Sequence, residues 1–379
     1  MVGANTKAMG IIFPNSFDAL VSDMVNFRLM ASLPFASRYR MVDFVLSSMT
    51  NCGVDNVVIL PNRNYHSLMD HLGTGREWDL ARKDGGVRIF PPYAENGSKL
   101  SSGRVGSLAN IMRLLKEQTE KYVIMSDSNI AVNFDFNEMI DAHIKSGADV
   151  TIAYKEESLP EAFLESEEVN KDYYYSFDID NGRVTEIHVN PTVGVHNLSM
   201  NIFVIERELL IKLAKEAFDH GLMHFTRDVL WAQRNTLNIQ AYEFKGYAAR
   251  ILSINSYFEE NMKLLEEENL DGLFAPSPIY TKVRDDNPTR YISGAKAENV
   301  MIADGCVIEG EVENSVLFRG VKVAKGAVVK DSIIMQDNYI GENTTLNCVI
   351  TDKNVVIGDR KHLSGCTTLP YFIQKGTRI

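Results

Sequence analysis

The stretch that decides the fold class is residues 9–60, which read MGIIFPNSFDALVSDMVNFRLMASLPFASRYRMVDFVLSSMTNCGVDNVVIL. Residues 10–13 have the pattern of a short buried strand, 38–51 that of a helix, and 54–60 that of a second, parallel strand. The loop 14–22 contains no glycine, although nucleotide-binding α/β proteins place glycines there so that the backbone can approach a phosphate. These residues therefore predict the scaffold of a nucleotide site without its phosphate-binding loop.

Strand and helix patterns alternate along the first 268 residues. The predicted strands are 87–90, 122–126, 150–154, 200–205 and 239–244, and the predicted helices are 65–72, 106–118, 137–146, 206–217 and 257–267. An Asn-Gly pair at 181–182 predicts a hairpin. This order predicts a Rossmann-like α/β domain over residues 1–268, with a mostly parallel sheet and helices on both faces. Prolines and a loss of periodicity then indicate a linker over 269–292.

An internal repeat follows the linker. NSVL at 314–317 returns as DSII at 331–334 and as NCVI at 347–350, with spacings of 17 and 16 residues. Between these segments, further apolar positions recur 17 residues apart, at Val323, Ile340 and Ile357. A unit of about six residues, three units per turn, is typical of a parallel β-helix. We therefore expect a left-handed β-helix of about four coils within residues 293–379. An antiparallel sandwich with coincidental spacing is the alternative.

Composition excludes several classes of protein. The chain has 379 residues, 45% hydrophobic and 23% charged, with a net charge of −11, so nucleic-acid binding has no electrostatic support. The cysteines show no CxxC spacing and suit a reducing compartment rather than a zinc site; they are Cys52, Cys306, Cys348 and Cys366. The sequence lacks the pattern of a signal peptide and any apolar run of about 18–20 residues, which predicts a cytoplasmic protein that does not bind membranes.

Several local strings name a family. They are LPF at 33–35, YRMVDFVLS at 39–47, NCGV at 51–54, HSLMDH at 66–71, YVIM at 122–125 and SMNIFV at 199–204. With the repeat region, they make the chain resemble bacterial glucose-1-phosphate adenylyltransferase (ADP-glucose pyrophosphorylase) nearly from end to end. The string P-F-x-x-R-Y-R-x-x-D-F at 34–44 is the most specific of them. The resemblance implies a nucleotidyltransferase domain followed by a left-handed β-helix. It also implies the conversion of ATP and glucose-1-phosphate to ADP-glucose and pyrophosphate with Mg²⁺.

The family's ATP loop, however, is degenerate in this chain. In the family, a G-G-x-G-T-R-L loop wraps the ATP phosphates through backbone N–H groups. It aligns without gaps on residues 14–21, where every glycine is gone and leucine replaces the arginine. The resemblance therefore implies that this loop packs into or blocks the triphosphate cleft. The residues that carry the change are Asn15, Ser16, Phe17, Asp18 and Leu20.

The metal and sugar-phosphate positions have changed as well. The family's two metal-binding aspartates fall on Asn129 and Arg250, which would face each other, and its sugar-phosphate lysine falls on Asn190. The G-T-A-D-A string on the nucleotide side has become GSLAN at 106–110. Asp127 would replace the first metal ligand only if the end of its strand shifted. Because the metal neutralises charge as pyrophosphate leaves, the resemblance implies no bound metal or other cofactor and negligible activity.

Three arginines near the first helix are candidates for an effector site. In the family, this stretch supplies basic groups to a phosphate site between the two domains. Arg28 and Arg40 match basic positions there, and Arg38 replaces a lysine. The resemblance implies a sugar-phosphate effector. The alternative is a set of solvated or structurally paired arginines.

A degenerate site on an intact fold is similar to the non-catalytic D-type subunit that some Gram-positive bacteria have beside a catalytic C-type adenylyltransferase. The implied function is a regulatory subunit for glycogen biosynthesis, in a hetero-oligomer, expected to be a heterotetramer, with a catalytic subunit. A homo-oligomer is expected when the chain is alone. An active adenylyltransferase that uses Asp127 is the first alternative. A hexapeptide-repeat acyltransferase is the second, although His362 is the only histidine in the repeats and the large first domain would be unexplained.

Overall fold

The computed structural model describes residues 8–92, 103–158, 174–191 and 194–379, which form an α/β domain and a stack of parallel β coils. The strands of the first domain are β1 (Ala8–Phe13), β2 (Pro34–Phe35), β3 (Tyr39–Arg40), β4 (Asn56–Ile59), β5 (Gly86–Ile89), β6 (Tyr122–Asp127), β7 (Ile130–Val132), β8 (Val150–Ser158), β9 (Tyr175–Asp180), β10 (Arg183–Val189), β11 (Val195–Glu206), β12 (Ile239–Glu243) and β13 (Ala248–Arg250). Its helices are α1 (Met41–Asn51), α2 (His66–Leu72), α3 (Gly103–Asn110), α4 (Met112–Glu117), α5 (Phe136–Ser146), α6 (Arg207–Asp219), α7 (Ile254–Lys263) and α8 (Glu267–Phe274). No helix within these ranges is both long and apolar enough to cross a membrane.

A nine-stranded sheet organises the first domain, in the order β5-β4-β1-β6-β11-β8-β12-β10-β9. Strands β5, β4, β1 and β6 are parallel, as are β8 and β12, whereas β11 runs antiparallel to both of its main neighbours. The sheet is therefore mixed, with a parallel half formed by the strands predicted from residues 9–60 and 122–126. Phe13 pairs with Asp127 at the carboxyl ends of β1 and β6, so the loops after these strands meet at one edge.

Helix α1 begins three residues later than predicted. Tyr39 and Arg40 form a short antiparallel pair with Pro34 and Phe35 instead of the first helical turn. The Asp43 carboxylate caps the helix by accepting from the Arg40 backbone N–H at 2.9 Å. This arrangement satisfies a backbone donor that the helix start would leave free.

Two other predicted helices are divided. The predicted helix 106–118 is two helices, α3 and α4, joined at Ile111, whose φ of −106° is not helical. The predicted helix 257–267 is also two helices, and α8 continues to Phe274 inside the predicted linker 269–292. The linker also ends earlier than predicted, because the strand Arg290–Tyr291 already pairs with the first coil of the β domain. Short 3₁₀ segments at Asp18–Met24, Met30–Ser32 and Arg76–Trp78 and a π-helical turn at Phe225–Leu230 complete the domain.

The second domain is a stack of parallel coils, as the repeat predicted. Its strands are β14 (Arg290–Tyr291), β15 (Lys296–Ile302), β16 (Val307–Ile308), β17 (Glu311–Leu317), β18 (Lys322–Val323), β19 (Val328–Lys330), β20 (Ile333–Ile334), β21 (Tyr339–Ile340), β22 (Thr345–Asn347), β23 (Val349–Thr351), β24 (Val356–Ile357), β25 (His362–Ser364) and β26 (Tyr371–Ile373). Val323 pairs with Ile340 and Ile340 with Ile357, each fully buried, which is the 17-residue spacing read from the sequence. These parallel pairings show a β-helix, and its left hand stays a prediction.

The two domains share one hydrophobic cluster. Val316, Ile333 and Ile350 stack on successive coils and pack in the same cluster as Phe35 and Tyr257 of the first domain. All five side chains are fully buried. At about 1.5–3 kcal/mol for each large apolar side chain buried, this contact holds the coils firmly against the α/β domain.

Candidate functional site

The edge of the sheet where β1 and β6 end carries a cavity of about 210 Å³. It lies where ligands bind in open α/β sheets, outside the carboxyl ends of parallel strands. Its walls come from the loop after β1, from β6 and β11, from α3 and from the π-helical turn, and include Ser16, Phe17, Arg104, Asp127, Asn201 and Thr226.

The loop after β1 is folded onto itself rather than open to a phosphate. The backbone N–H groups of Asp18 and Leu20 donate to the carbonyls of Asn15 and Phe17 at 3.3 and 3.2 Å. Phe17 is buried, with φ of 65°, and its ring lies 4.9 Å from that of Tyr174. Leu20 is also in the core. The loop is therefore packed against the core, and a cavity remains beside it.

Asp18 supports this closed loop. Its carboxylate is buried and accepts hydrogen bonds from the Met30 backbone N–H and the Asn15 side-chain amide, both at 2.7 Å. The Asn15 amide oxygen accepts in turn from the Asn62 backbone N–H at 2.7 Å. Asp18 therefore stabilises the closed loop through these hydrogen bonds. By the resemblance, it also places a carboxylate in the loop that binds phosphates in the family.

Asp127 is held by two donors from separate elements. The Ser16 hydroxyl and the Arg104 guanidinium each donate to Oδ1 at 2.7 Å. Burial raises the pKa of the Asp127 carboxyl above its usual range, although Arg104 and the Ser16 hydrogen bond act in the opposite direction. Because Asp127 already has a cationic partner, it does not fit the role of the metal ligand considered as an alternative.

The two degenerate metal positions lie next to each other on paired strands. Asn129 precedes β7, and its carbonyl accepts from the Ile251 backbone N–H at 2.8 Å, directly beside Arg250. The Arg250 side chain is buried, and it donates to Glu157 at 2.7 Å and to the Ser199 carbonyl at 3.0 Å. A buried guanidinium paired with the nearest carboxylate does not fit Mg²⁺, which prefers oxygen ligands and would be repelled by this charge.

Asn129 offers only a neutral amide. Its side chain is fully buried, and neither amide atom has a hydrogen-bond partner among the described residues. Within those residues, no group of three His, Cys, Asp or Glu side chains is arranged to hold a metal ion.

Asn190, at the degenerate sugar-phosphate position, closes a turn. Its backbone N–H donates to the Tyr174 carbonyl at 2.7 Å, and its side-chain oxygen accepts from the Tyr174 N–H at 3.0 Å. Its φ of 51° is a left-handed value that asparagine tolerates. Asn190 lines a cavity of about 640 Å³ together with His188 and His196. The Asn190 side chain accepts a hydrogen bond from the backbone of the turn, but it has no positive charge with which to bind a phosphate.

The three candidate effector arginines lie at the junction of the domains, but they have different partners. Arg28 is buried and donates to both carboxylate oxygens of Asp352, at 2.6 and 2.9 Å, in the β-helix. Arg38 is exposed and forms an ion pair with Asp304 of the β-helix. Arg40 donates to the carbonyl and the hydroxyl of Ser67 at 2.7 and 3.0 Å. Arg28 and Arg38 are therefore paired across the junction.

Lys353, which the sequence analysis did not select, lies at the same junction. Burial, together with the nearby positive charges of Arg40, Arg28 and Lys375, lowers the pKa of its ammonium to about 6, against the opposing effect of Asp352. The pKa of Arg40 is lowered to about 10, also chiefly by burial. Lys353 therefore lies among several cations in a partly buried position. The signal in the sequence was the charged pair Asp352-Lys353, which stands where the preceding coil has Met335-Gln336.

His362, the histidine of the acyltransferase alternative, is exposed on β25. The acyltransferase alternative left the large first domain unexplained, and in the structure this domain contains the cavity at the edge of the sheet.

Comparisons with known proteins agree with this architecture. The nucleotidyl transferase family model matches residues 30–266, and a GlmU-like C-terminal hexapeptide model matches residues 283–364. The glycogen biosynthesis protein GlgD of Geobacillus stearothermophilus is 38% identical over 379 residues, covering 98% of this chain and 97% of that protein. GlgD of Bacillus subtilis (strain 168) is 32% identical over 373 residues, with the same coverage. The glucose-1-phosphate adenylyltransferase of Bacillus cytotoxicus is 33% identical over 338 residues, covering 86% of this chain and 87% of that enzyme.

The fold and the cleft thus define a nucleotidyltransferase domain joined to a hexapeptide-repeat β-helix. Matches that cover almost the whole of both chains extend this to a particular group of proteins. The chain belongs to the family of bacterial glucose-1-phosphate adenylyltransferases and the GlgD glycogen biosynthesis proteins related to them. The resemblance read from the sequence strings is therefore confirmed.

Proposed function

We propose that this chain is a regulatory, catalytically inactive subunit of an ADP-glucose pyrophosphorylase. The observation that carries the proposal is the buried Arg250 guanidinium, which pairs with Glu157 at one of the positions where the family places a metal-binding aspartate. The closed loop around Phe17 and the pairing of Asp127 with Arg104 support it independently. Each lost electrostatic group typically costs about 10² to 10³ in rate, so the combination predicts no measurable turnover.

The proposed partner is a catalytic adenylyltransferase subunit, in a cytoplasmic hetero-oligomer that we expect to be a heterotetramer. The intact β-helix and its tight contact with the α/β domain support a scaffold that is maintained for assembly rather than chemistry. The chain would raise the turnover of the catalytic subunit or change its response to an effector. Alone, it would form a homo-oligomer.

The proposed effector is a sugar phosphate bound at the junction by Arg40 and Lys353. Burial lowers the pKa of both cations, and the charges of Arg40 and Arg28 add to the lowering at Lys353, so a bound phosphate would relieve the repulsion there. Arg28 and Arg38 would contribute charge and position rather than free donors, because Asp352 and Asp304 already pair with them.

The test is pyrophosphate release from ATP and glucose-1-phosphate with Mg²⁺. It is measured for this chain, for a catalytic subunit, and for their mixture, and light scattering gives the mass of each species. We expect background release from this chain alone, and a mixed oligomer whose turnover or effector response differs from that of the catalytic subunit. Robust release by this chain alone would overturn the proposed inactivity. A mixture that neither associates nor changes the rate would overturn the regulatory role.

A further inference from the structure

The cavity at the edge of the sheet has no excess charge to attract an anion. Arg104 lies within it, but its guanidinium pairs with Asp127 and packs over the rings of Phe13 and Phe203, 4.9 and 5.3 Å from the two centroids. Its side chain is only 14% exposed, so solvent screens the ion pair with Asp127 little. A nucleoside triphosphate or a sugar phosphate would have to compete with a carboxylate for this arginine.

Three residues in the wall of the cavity do have buried side-chain oxygens without a hydrogen-bond partner among the described residues. Oδ2 of Asp127, Oδ1 of Asn201 and Oγ1 of Thr226 are buried and have no partner among the described residues. All three residues line the cavity, and each is more than nine-tenths buried. Buried polar atoms are normally paired, because leaving one without a hydrogen bond costs free energy. Three such atoms around one cavity point to a ligand that supplies several donors.

Part of the wall is aromatic. Tyr175 and Phe225 line the cavity, together with Phe13 and Phe17 of the first strand and its loop. The volume of about 210 Å³ is below the range of about 300–1,000 Å³ that is typical of pockets for drug-sized ligands. The ligand is therefore small, carries hydroxyl donors and offers C–H groups to aromatic rings.

We propose that this cavity binds an unphosphorylated monosaccharide, whose hydroxyls donate to Asp127, Asn201 and Thr226. Sugars have this combination of many hydroxyl donors and apolar ring faces, and they carry no charge to conflict with the Arg104–Asp127 pair. Occupancy of the cavity would then depend on the concentration of a free sugar, which is a different class of ligand from a nucleotide. This inference does not depend on the proposed regulatory function.

The test is calorimetric titration of the full-length chain with D-glucose, D-galactose and D-mannose, and with ATP and glucose-1-phosphate in parallel. We expect saturable binding of at least one free hexose. Thr226→Val, which removes only the hydroxyl, should weaken that binding about tenfold or more. Ser32→Ala is the matched control: the Ser32 hydroxyl is also buried and without a partner among the described residues, but it does not line the cavity. Its affinity for the sugar should be unchanged.

A second variant keeps the proposal testable if Thr226→Val does not fold. Asn201 has φ of 53°, which glycine adopts without strain, so Asn201→Gly removes the amide oxygen and keeps the backbone. It should also weaken hexose binding about tenfold or more. Three results would overturn the proposal. These are no binding of any free hexose, tighter binding of glucose-1-phosphate or ATP in the same cavity, or hexose binding that both folded variants leave unchanged.

Discussion

The cleft at the edge of the sheet and the junction between the domains both place arginines beside carboxylates, but their charges balance differently. Arg104 pairs with Asp127 in the cleft, and Arg250 pairs with Glu157 at a degenerate metal position, so each of these buried cations has one opposite partner. The positions at which the resemblance implies metal ligands, Asn129 and Arg250, thus carry a neutral amide and a paired guanidinium. A site of this kind stabilises the fold and has no free charge for phosphate chemistry.

At the junction, the groups around Lys353 include more cations than carboxylates. Lys353 faces Arg28, Arg40 and Lys375, with Asp352 as the one carboxylate that opposes the shift of its pKa. Burying like charges together costs stability, and folds keep such arrangements mostly where a ligand relieves the repulsion. A cleft with paired charges and a junction with an excess of cations can therefore lie on one fold.

The largest expected effect is at the ion pair between the domains. Arg28→Ala leaves the Asp352 carboxylate buried without its bidentate partner, so the free energy of unfolding should fall by about 3–5 kcal/mol. Urea unfolding followed by circular dichroism measures it. Arg38→Ala is the control, because Arg38 and Asp304 are each 41% exposed, and it should cost about 1 kcal/mol or less. Equal losses in the two variants would show that Arg28 does not hold the domains together.

In the cleft, the packed loop should depend on the ring of Phe17. Phe17→Ala removes a buried aromatic side chain, and we expect a loss of about 3 kcal/mol in unfolding free energy. Phe17→Gly should be less destabilising than the alanine variant by about 1 kcal/mol, because the backbone at this position is left-handed. Thermal and urea unfolding of the pair measure the difference. If the alanine variant is as stable as the parent, the loop is not part of the core.

At the junction, anion binding should be linked to protonation of Lys353. Because the pKa of Lys353 is about 6 without ligand and a bound anion would raise it, binding takes up protons above pH 6. The affinity for sulfate, whose charge is constant in this range, should rise up to about tenfold per pH unit from pH 8 to 6 and then level off. Calorimetry in buffers of different ionisation enthalpy measures the proton uptake. Lys353→Met should remove the pH dependence, and a profile that the variant leaves intact would assign the proton to another group.

The smallest effect is expected from the hydrogen bond that joins the loop to β6. Ser16→Ala removes one donor from Asp127 but leaves Arg104 in place, so the unfolding free energy should fall by about 1 kcal/mol. Ser22→Ala, at an exposed position of the same loop, should change it by less than about 0.5 kcal/mol. A loss of several kcal/mol in the Ser16 variant would contradict this. It would show that removing the Ser16 hydroxyl also weakens the interaction of Arg104 with Asp127.

The sequence predicted the fold through features that are local or periodic. The buried strands at 10–13 and 122–126 and the 17-residue spacing from Val323 to Ile357 appear in the structure because burial imposes those patterns directly. Boundaries were harder to predict where tertiary contacts compete with propensity. The first predicted turn of helix α1 is not helical, because Tyr39 and Arg40 pair with β2 instead. No local sequence pattern encodes this pairing.

The site was predicted only in part, for a related reason. The degenerate positions Asn129 and Arg250 were found because a family motif marks them in the chain. Arg104 and Lys353 were not, since their importance comes from partners that lie far away in the sequence: Arg104 reaches Asp127 from another element, and Lys353 meets Arg40 only after the domains pack. Pairings of this kind depend on the completed fold.

The most direct test of the central claim is a calorimetric titration of this chain alone with Mg-ATP and, separately, with sulfate. The charge-balanced cleft predicts no saturable binding of Mg-ATP there, and the junction predicts saturable binding of sulfate at pH 6 that Lys353→Met weakens. Saturable Mg-ATP binding that is lost in Arg104→Ala but unaffected by Lys353→Met would place the nucleotide in the cleft and contradict the account.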